Sequence, residues 1–92
     1  MDKRSTPDEL LSFPCMYEFK AFGPANDDGA FIAAVQEAVS QVIPVGRDAM
    51  RNRLSSAGTY LCVTVLVRLE NSTQLTRIYD ILGSVEGLRY LL

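Results

Sequence analysis

The chain has 92 residues, a formal net charge of −2, 48% hydrophobic residues and 22% charged ones. This is enough for one domain and not for two, and it is too apolar and too nearly neutral for a disordered tail. The charge balance gives no general attraction to phosphate backbones or anionic membranes, because that attraction scales with the number of phosphates neutralised.

Other absences narrow the chemistry. The chain contains no histidine, which removes the commonest general base and metal ligand at neutral pH. Its N-terminus, MDKRSTPDELL, has no apolar core of the kind an export signal needs. No apolar run approaches ~18 residues, the length that a spanning helix requires. The expected compartment is the cytoplasm.

Residues 1–12 read as an N-terminal arm. Thr6-Pro7-Asp8-Glu9 resembles a capping box, with Thr as N-cap, Pro at the first helical position and Glu at the third. Leu10 and Leu11 would anchor this single turn. Residues 13–92 form the expected domain. Pro14 lacks an N–H and suits the start of a strand. From Cys15 to Phe22, Tyr17, Phe19 and Ala21 alternate with Glu18, Lys20 and Phe22. A period of two marks a half-buried strand, with Tyr17, Phe19 and Ala21 toward the core.

Gly23 to Gly29 (GPANDDG) is a loop in which Asp27 or Asp28 is placed to cap the next helix. Between Ala30 and Val42, Phe31, Ala34, Val35, Ala38, Val39 and Val42 recur at three- and four-residue spacing, the stripe of an amphipathic helix. Pro44 ends it. Val45 to Leu54 carries Arg47, Arg51 and Arg53, and a strand so charged suits a sheet edge.

Ser55-Ser56-Ala57-Gly58 turns the chain into its longest apolar run. There Leu61, Val63, Val65, Val67 and Leu69 form one face, and Tyr60, Cys62, Thr64, Leu66 and Arg68 the other. Asn71 and Ser72 are N-cap candidates for a second helix striped by Leu75, Ile78, Tyr79 and Leu82, which ends at Gly83 as a left-handed C′ glycine. Val85 to Leu92 reads as the last strand, with Leu88, Tyr90 and Leu92 alternating against Arg89 and Leu91.

The order is therefore β-α-β-β-α-β. Two right-handed crossovers place both helices on one face of a four-stranded antiparallel sheet in the order 4-1-3-2. This is the α+β, ferredoxin-like sandwich. Strand parity puts Cys15 on the helix side and Cys62 on the open side, so both thiols are expected to be free.

Four kinds of chemistry compete. Metal binding in such folds uses closely spaced ligands such as C-x-x-C, and Cys15 and Cys62 are far apart and face opposite ways. RNA-recognition modules of this topology stack bases on aromatics of the two central strands. Here Tyr60 is one such aromatic, Phe22 lies at a strand end, and Arg47, Arg51, Arg53 and Arg68 would supply a basic strip. Catalysis lacks a sequence-evident base for any Ser or Cys, and helix capping accounts for Asp27-Asp28. The fourth is binding: an open face carrying Phe22, Tyr60, Cys62, Thr64 and Leu66 is too apolar for full exposure. A second copy, a partner protein, or the arm with Leu10, Leu11 and Phe13 would cover it.

Three elements, in this order, carry a family resemblance: FPCMYEFKAFG at Phe13 to Gly23, S-S-x-G-x-Y at Ser55 to Tyr60, and I-Y-x-x-L at Ile78 to Leu82. Together they resemble the YbeD-like family of small, uncharacterised bacterial proteins, a match running from about Leu10 to Leu92. The resemblance implies a β-α-β-β-α-β fold similar to the ACT regulatory domains of amino-acid-metabolism enzymes. Those domains bind small effectors near the first strand-to-helix turn, commonly at dimer interfaces. The matching turn here is Phe22-Gly23-Pro24-Ala25-Asn26, where Gly23 would permit close backbone approach.

The expected function is thus a non-enzymatic, ACT-like regulatory or protein-interaction module, with RNA binding through the open face as the alternative. The candidate effector or partner surface is Phe22, Gly23, Asn26, Tyr60, Thr64, Leu66 and Arg68. No catalytic residue, metal or cofactor is expected. The expected occupant is a second copy in a homodimer, an unidentified partner protein or a small-molecule effector. A membrane is not expected, and nucleic acid is disfavoured.

Overall fold

A computed structural model describes residues 11–25 and 28–92. The capping box at Thr6 to Glu9, Leu10, and the loop residues Asn26 and Asp27 lie outside the described residues.

Alternation of apolar and polar residues makes β1 (Cys15–Pro24) and β3 (Tyr60–Leu69), which pair antiparallel along their whole length from Cys15↔Leu69 to Pro24↔Tyr60. The sheet is completed by β2 (Met50–Leu54) on the free side of β3 and β4 (Tyr90–Leu91) on the free side of β1, giving the order β2-β3-β1-β4. This is the expected 4-1-3-2 arrangement read from the other edge. Two helices, α1 (Ala30–Ser40) and α2 (Ser72–Leu82), supply the second layer.

The core lies between the layers. Phe19 and Ala21 of β1 and Leu61, Val63, Val65, Val67 and Leu69 of β3 meet Phe31, Val35, Ala38 and Val39 of α1 and Leu75, Ile78 and Leu82 of α2. Every odd-numbered residue of β3 from Leu61 on is buried, which bears out the assigned face. A fully buried aliphatic side chain contributes roughly 1.5–3 kcal/mol. Val65→Ala should therefore cost about that much in urea unfolding, and Thr64→Ala on the opposite face much less. Equal costs would mean the faces are not differentially buried.

Helix α2 starts where Asn71, in an extended conformation, accepts a hydrogen bond from the Gln74 N–H at 2.9 Å. The Gln74 amide oxygen in turn accepts from the Glu70 N–H at 2.7 Å. Losing such a cap typically costs ~1 kcal/mol, so Asn71→Ala should lower the thermal midpoint while Asn71→Ser should retain most of it.

Four local expectations are corrected. Helix α1 is capped by Gly29 at φ +82°, and a glycine has no side chain to accept a bond; Asp28, itself at φ +61°, precedes the cap instead of forming it. The second strand begins at Met50, because residues Arg47–Ala49 form a 3₁₀ turn. There Arg47 donates to the Gln36 side chain of α1 at 2.7 Å, which draws it away from the strand. Gly83 closes α2 in the right-handed region at φ −62°, so it is not a left-handed C′ glycine. The chain continues through tight turns, Ser84 N–H to Ile81 and Val85 N–H to Leu82, and reverses at Gly87 with φ +90°. That reversal shortens the last strand to Tyr90–Leu91.

Pairing with β1 sets the faces of this strand. Ala21 pairs with Leu91 and Phe22 with Tyr90. Leu91 therefore packs on the core, while Tyr90 and Leu92 are 60% and 51% exposed on the other side. Leu11 and Phe13, the described residues that lead into β1, pack against the core cluster.

Where the layers meet, Tyr17 of β1 and Tyr79 of α2 share a hydroxyl–hydroxyl hydrogen bond at 2.8 Å. Burial, and then the bond to Tyr17, push the Tyr79 phenol well above its ordinary value of 10.0. A raised folded-state value penalises the anion. The associated stability is fully present below about pH 10 and is lost as pH rises from there toward the folded value. Stability should fall on going from about pH 9 to pH 11, and Tyr79→Phe should flatten that fall. An identical slope in the variant would place the alkaline sensitivity elsewhere.

Candidate functional site

The two faces of the sheet have opposite fates. One is covered by α1 and α2. The other has nothing layered over it among the described residues, and the register sets its side chains in rows. Arg53, Cys62, Phe22 and Tyr90 form one row across all four strands, and Arg51, Thr64 and Lys20 form the next. The Leu92 N–H and carbonyl both bond to Lys20, at 2.8 and 3.1 Å, which extends that row to the chain's last residue. Leu66 stands opposite Glu18, and Met16 opposite Arg68.

This face is apolar in part. Met16, Leu66, Tyr60, Tyr90 and Leu92 are all exposed large hydrophobic residues. Phe22 and Tyr90 lean together with centroids 5.8 Å apart. At one end the Arg89 guanidinium lies over the Tyr60 ring, 5.2 Å from its centroid, and donates to the Tyr60 hydroxyl at 3.3 Å. Arg51 pairs with Glu18 at 3.1 Å, and Arg68 with Glu70 at 3.1 Å. Such solvent-exposed pairs are worth about 0–1 kcal/mol, so they orient side chains more than they stabilise the fold.

The residues singled out from the sequence divide into three groups. Phe22, Tyr60, Thr64, Leu66 and Arg68 lie together on the open face, as their parity implies. Gly23 does not. It is buried, and a Cβ built there would sit 2.5 Å from two ring atoms of Phe31. Its smallness is therefore required by an internal ring, which accounts for the glycine without a ligand. Asn26 lies outside the described residues. The expected basic strip is also reshaped, since Arg47 turns to α1 and Arg68 engages Glu70, leaving Arg51 and Arg53 on the face.

Lys20, Tyr90, Arg89 and Leu92 complete the surface and were missed as site residues. Lys20 shares the parity of Phe22, which is legible in the sequence. Tyr90, Arg89 and Leu92 depend on how the last strand pairs with β1, which the local sequence does not show. Both cysteines are free, Cys15 toward the helices and Cys62 on the open face. Among the described residues no three Cys, Asp or Glu side chains cluster so as to hold a metal. No described helix is long and apolar enough to cross a membrane.

Comparison with known proteins places this architecture. A UPF0250 protein of Shewanella sediminis is 34% identical over 85 residues, spanning 92% of this chain and 93% of the relative. The UPF0250 protein IL0958 of Idiomarina loihiensis is likewise 34% identical over 85 residues, with the same coverage. The solution structure of protein HP0495 from H. pylori superposes with a TM-score of 0.66 over 99% of this chain and 98% of that one, at 12% identity, which is a likeness of fold. The family described as "Protein of unknown function (DUF493)" matches residues 8–92. The chain therefore belongs to the DUF493 family, the small bacterial proteins of unknown function to which its YbeD-like motifs point.

Proposed function

We propose that this chain is a non-enzymatic interaction module of the cytoplasm that binds a partner protein through the open face of its sheet. One observation carries the reading: the described residues leave a face spanning four strands uncovered, and it presents Met16, Leu66, Tyr90 and Leu92, each at least 40% exposed. Large apolar side chains exposed together on one face, interleaved with charges, mark interaction sites. Proximity labelling tests it. A photo-crosslinking residue in place of Leu66 should give discrete protein adducts in cells, and the same residue in place of Arg77, exposed on α2, should not. Equal labelling at both positions, or none at Leu66, overturns the reading.

An ACT-like effector site is the second form of regulation considered. Its support is a hollow of about 510 Å³ beside the β1–α1 turn, bordered by Pro24, Ala30, Ala34 and Gly87. A ligand that binds only the native state raises the unfolding midpoint. Thermal shift against the amino acids and small carboxylates should reveal such an effector, and a flat response across the set removes it.

RNA binding is the weaker alternative. Stacking needs free aromatic faces, yet Tyr60 already carries Arg89 and Phe22 leans on Tyr90. Single-stranded oligonucleotides at low salt, where the phosphate contribution is greatest, should not bind detectably. A clear affinity there would restore this reading.

A further inference from the structure

We infer that the open face receives an acidic segment of a partner protein, its carboxylates gathered by Lys20, Arg51 and Arg53. The inference rests on the interaction-module reading and names the chemistry of the partner. A shallow basin of about 550 Å³ lies at the middle of the face, lined by Lys20, Phe22, Arg51, Arg53, Cys62 and Thr64. Thr64 is opposite both Lys20 and Arg51, and Cys62 is opposite Arg53, so three long cationic side chains flank the two short ones.

The charge in this basin is unbalanced. Among the described residues Lys20 and Arg53 have no ion-pair partner, and Arg51 meets a single oxygen of Glu18. A chain with a net charge of −2 thus concentrates three cations at the centre of the sheet face that its described residues leave uncovered. Arginine forks suit carboxylates, which they bind with two parallel hydrogen bonds. Phe22, Tyr90 and Leu92 border the cations on the β4 side and offer apolar seats for the side chains between the acids.

Other occupants fit less well. A closed dimer through the centre of this face would be self-complementary by symmetry, which sets Lys20 and Arg51 of one copy against the same cations of the other. A small anion alone would find an open basin in which the strand amides are engaged in the sheet. Nucleic acid would find Tyr60 already engaged by Arg89 and Phe22 leaning on Tyr90, as described above.

Fluorescence anisotropy with a labelled peptide alternating Glu and Leu tests the inference, with a Lys-and-Leu peptide, an oligouridylate and inorganic phosphate as the other arms. The acidic peptide should bind at low salt and weaken as salt screens the contacts. Lys20→Glu with Arg53→Glu should reduce its affinity at least ~tenfold, with the circular dichroism spectrum and thermal midpoint of the native fold retained. If that double variant unfolds, Arg53→Gln alone, on the exposed edge strand, should still weaken binding several-fold. Absence of binding, affinity unchanged by charge reversal, equal binding of the Lys-and-Leu peptide or the oligouridylate, or complete displacement by phosphate each overturns the inference. Adducts at Leu66 without acidic-peptide binding would leave the interaction module standing and remove its acidic partner. Loss of both would remove the module itself.

Discussion

Phe19→Ala should remove about 3–5 kcal/mol of stability, the usual range for deleting a buried ring. Phe19 is fully buried on β1, where its ring meets Tyr17 and Tyr79 edge-on, each with centroids 4.9 Å apart. Tyr17 and Tyr79 also face one another at 6.3 Å, so the three rings form one unit joining the sheet to α2. Aromatic pairs of this geometry add about 0.5–1.5 kcal/mol beyond the area they bury. A domain of this length has a net stability on the order of 5–10 kcal/mol, so the substitution removes a large share of it. Urea unfolding should show a much lower midpoint with little change in slope. Phe19→Leu keeps most of the volume and should cost only about 1–2 kcal/mol. Near-equal effects of the two variants would mean that the ring contacts contribute nothing beyond volume.

The second large effect is expected at Gly23→Ala, and it acts by crowding. The added methyl would lie 2.5 Å from Cε1 and Cζ of Phe31 and 2.7 Å from Cδ1, far inside van der Waals contact. Phe31 is buried in the first turn of α1 and has little room to move. Overpacking of this kind costs typically ~1–3 kcal/mol. The signature is non-additivity. Phe31→Leu should be destabilising alone, yet combined with Gly23→Ala it should cost less than the two together, by at least ~0.5 kcal/mol. Strict additivity would show that the methyl clashes with something other than the ring. The result also bears on the effector reading: if the ring alone explains Gly23, the glycine carries no information about a ligand at that turn.

Because the Gly23 backbone makes room for Phe31 while Gly87, at φ +90°, lies against Pro24, the end of β1 is held from two sides. This corner joins the β1–α1 turn to the approach to β4. It sets where β4 meets β1, at Ala21↔Leu91 and Phe22↔Tyr90.

Strand parity was the most legible feature of the chain, for a physical reason. One face of β1 and β3 is dry and the other is wet, so a period of two is written into the residue types along Tyr17–Phe22 and Leu61–Leu69. The order of elements, the sheet topology, the two free thiols and the membership of Phe22, Tyr60, Thr64, Leu66 and Arg68 in one surface all follow from that period and from connection rules. Local composition could not disclose what depends on distant contacts. Arg47 looks like its neighbours Arg51 and Arg53 in sequence, but Gln36 across the gap to α1 captures it. Gly83 looks like a left-handed helix stop, but the reversal falls at Gly87, where Pro24 packs, and the pairing that follows turns Leu91 to the core and Tyr90 away from it. Lys20 alone is an ordinary surface lysine. It becomes part of a cationic basin only because antiparallel pairing sets Arg51 and Arg53 on the next strand but one. The backbone period thus specifies faces, while the pairing of strands far apart in the chain specifies which side chains share them.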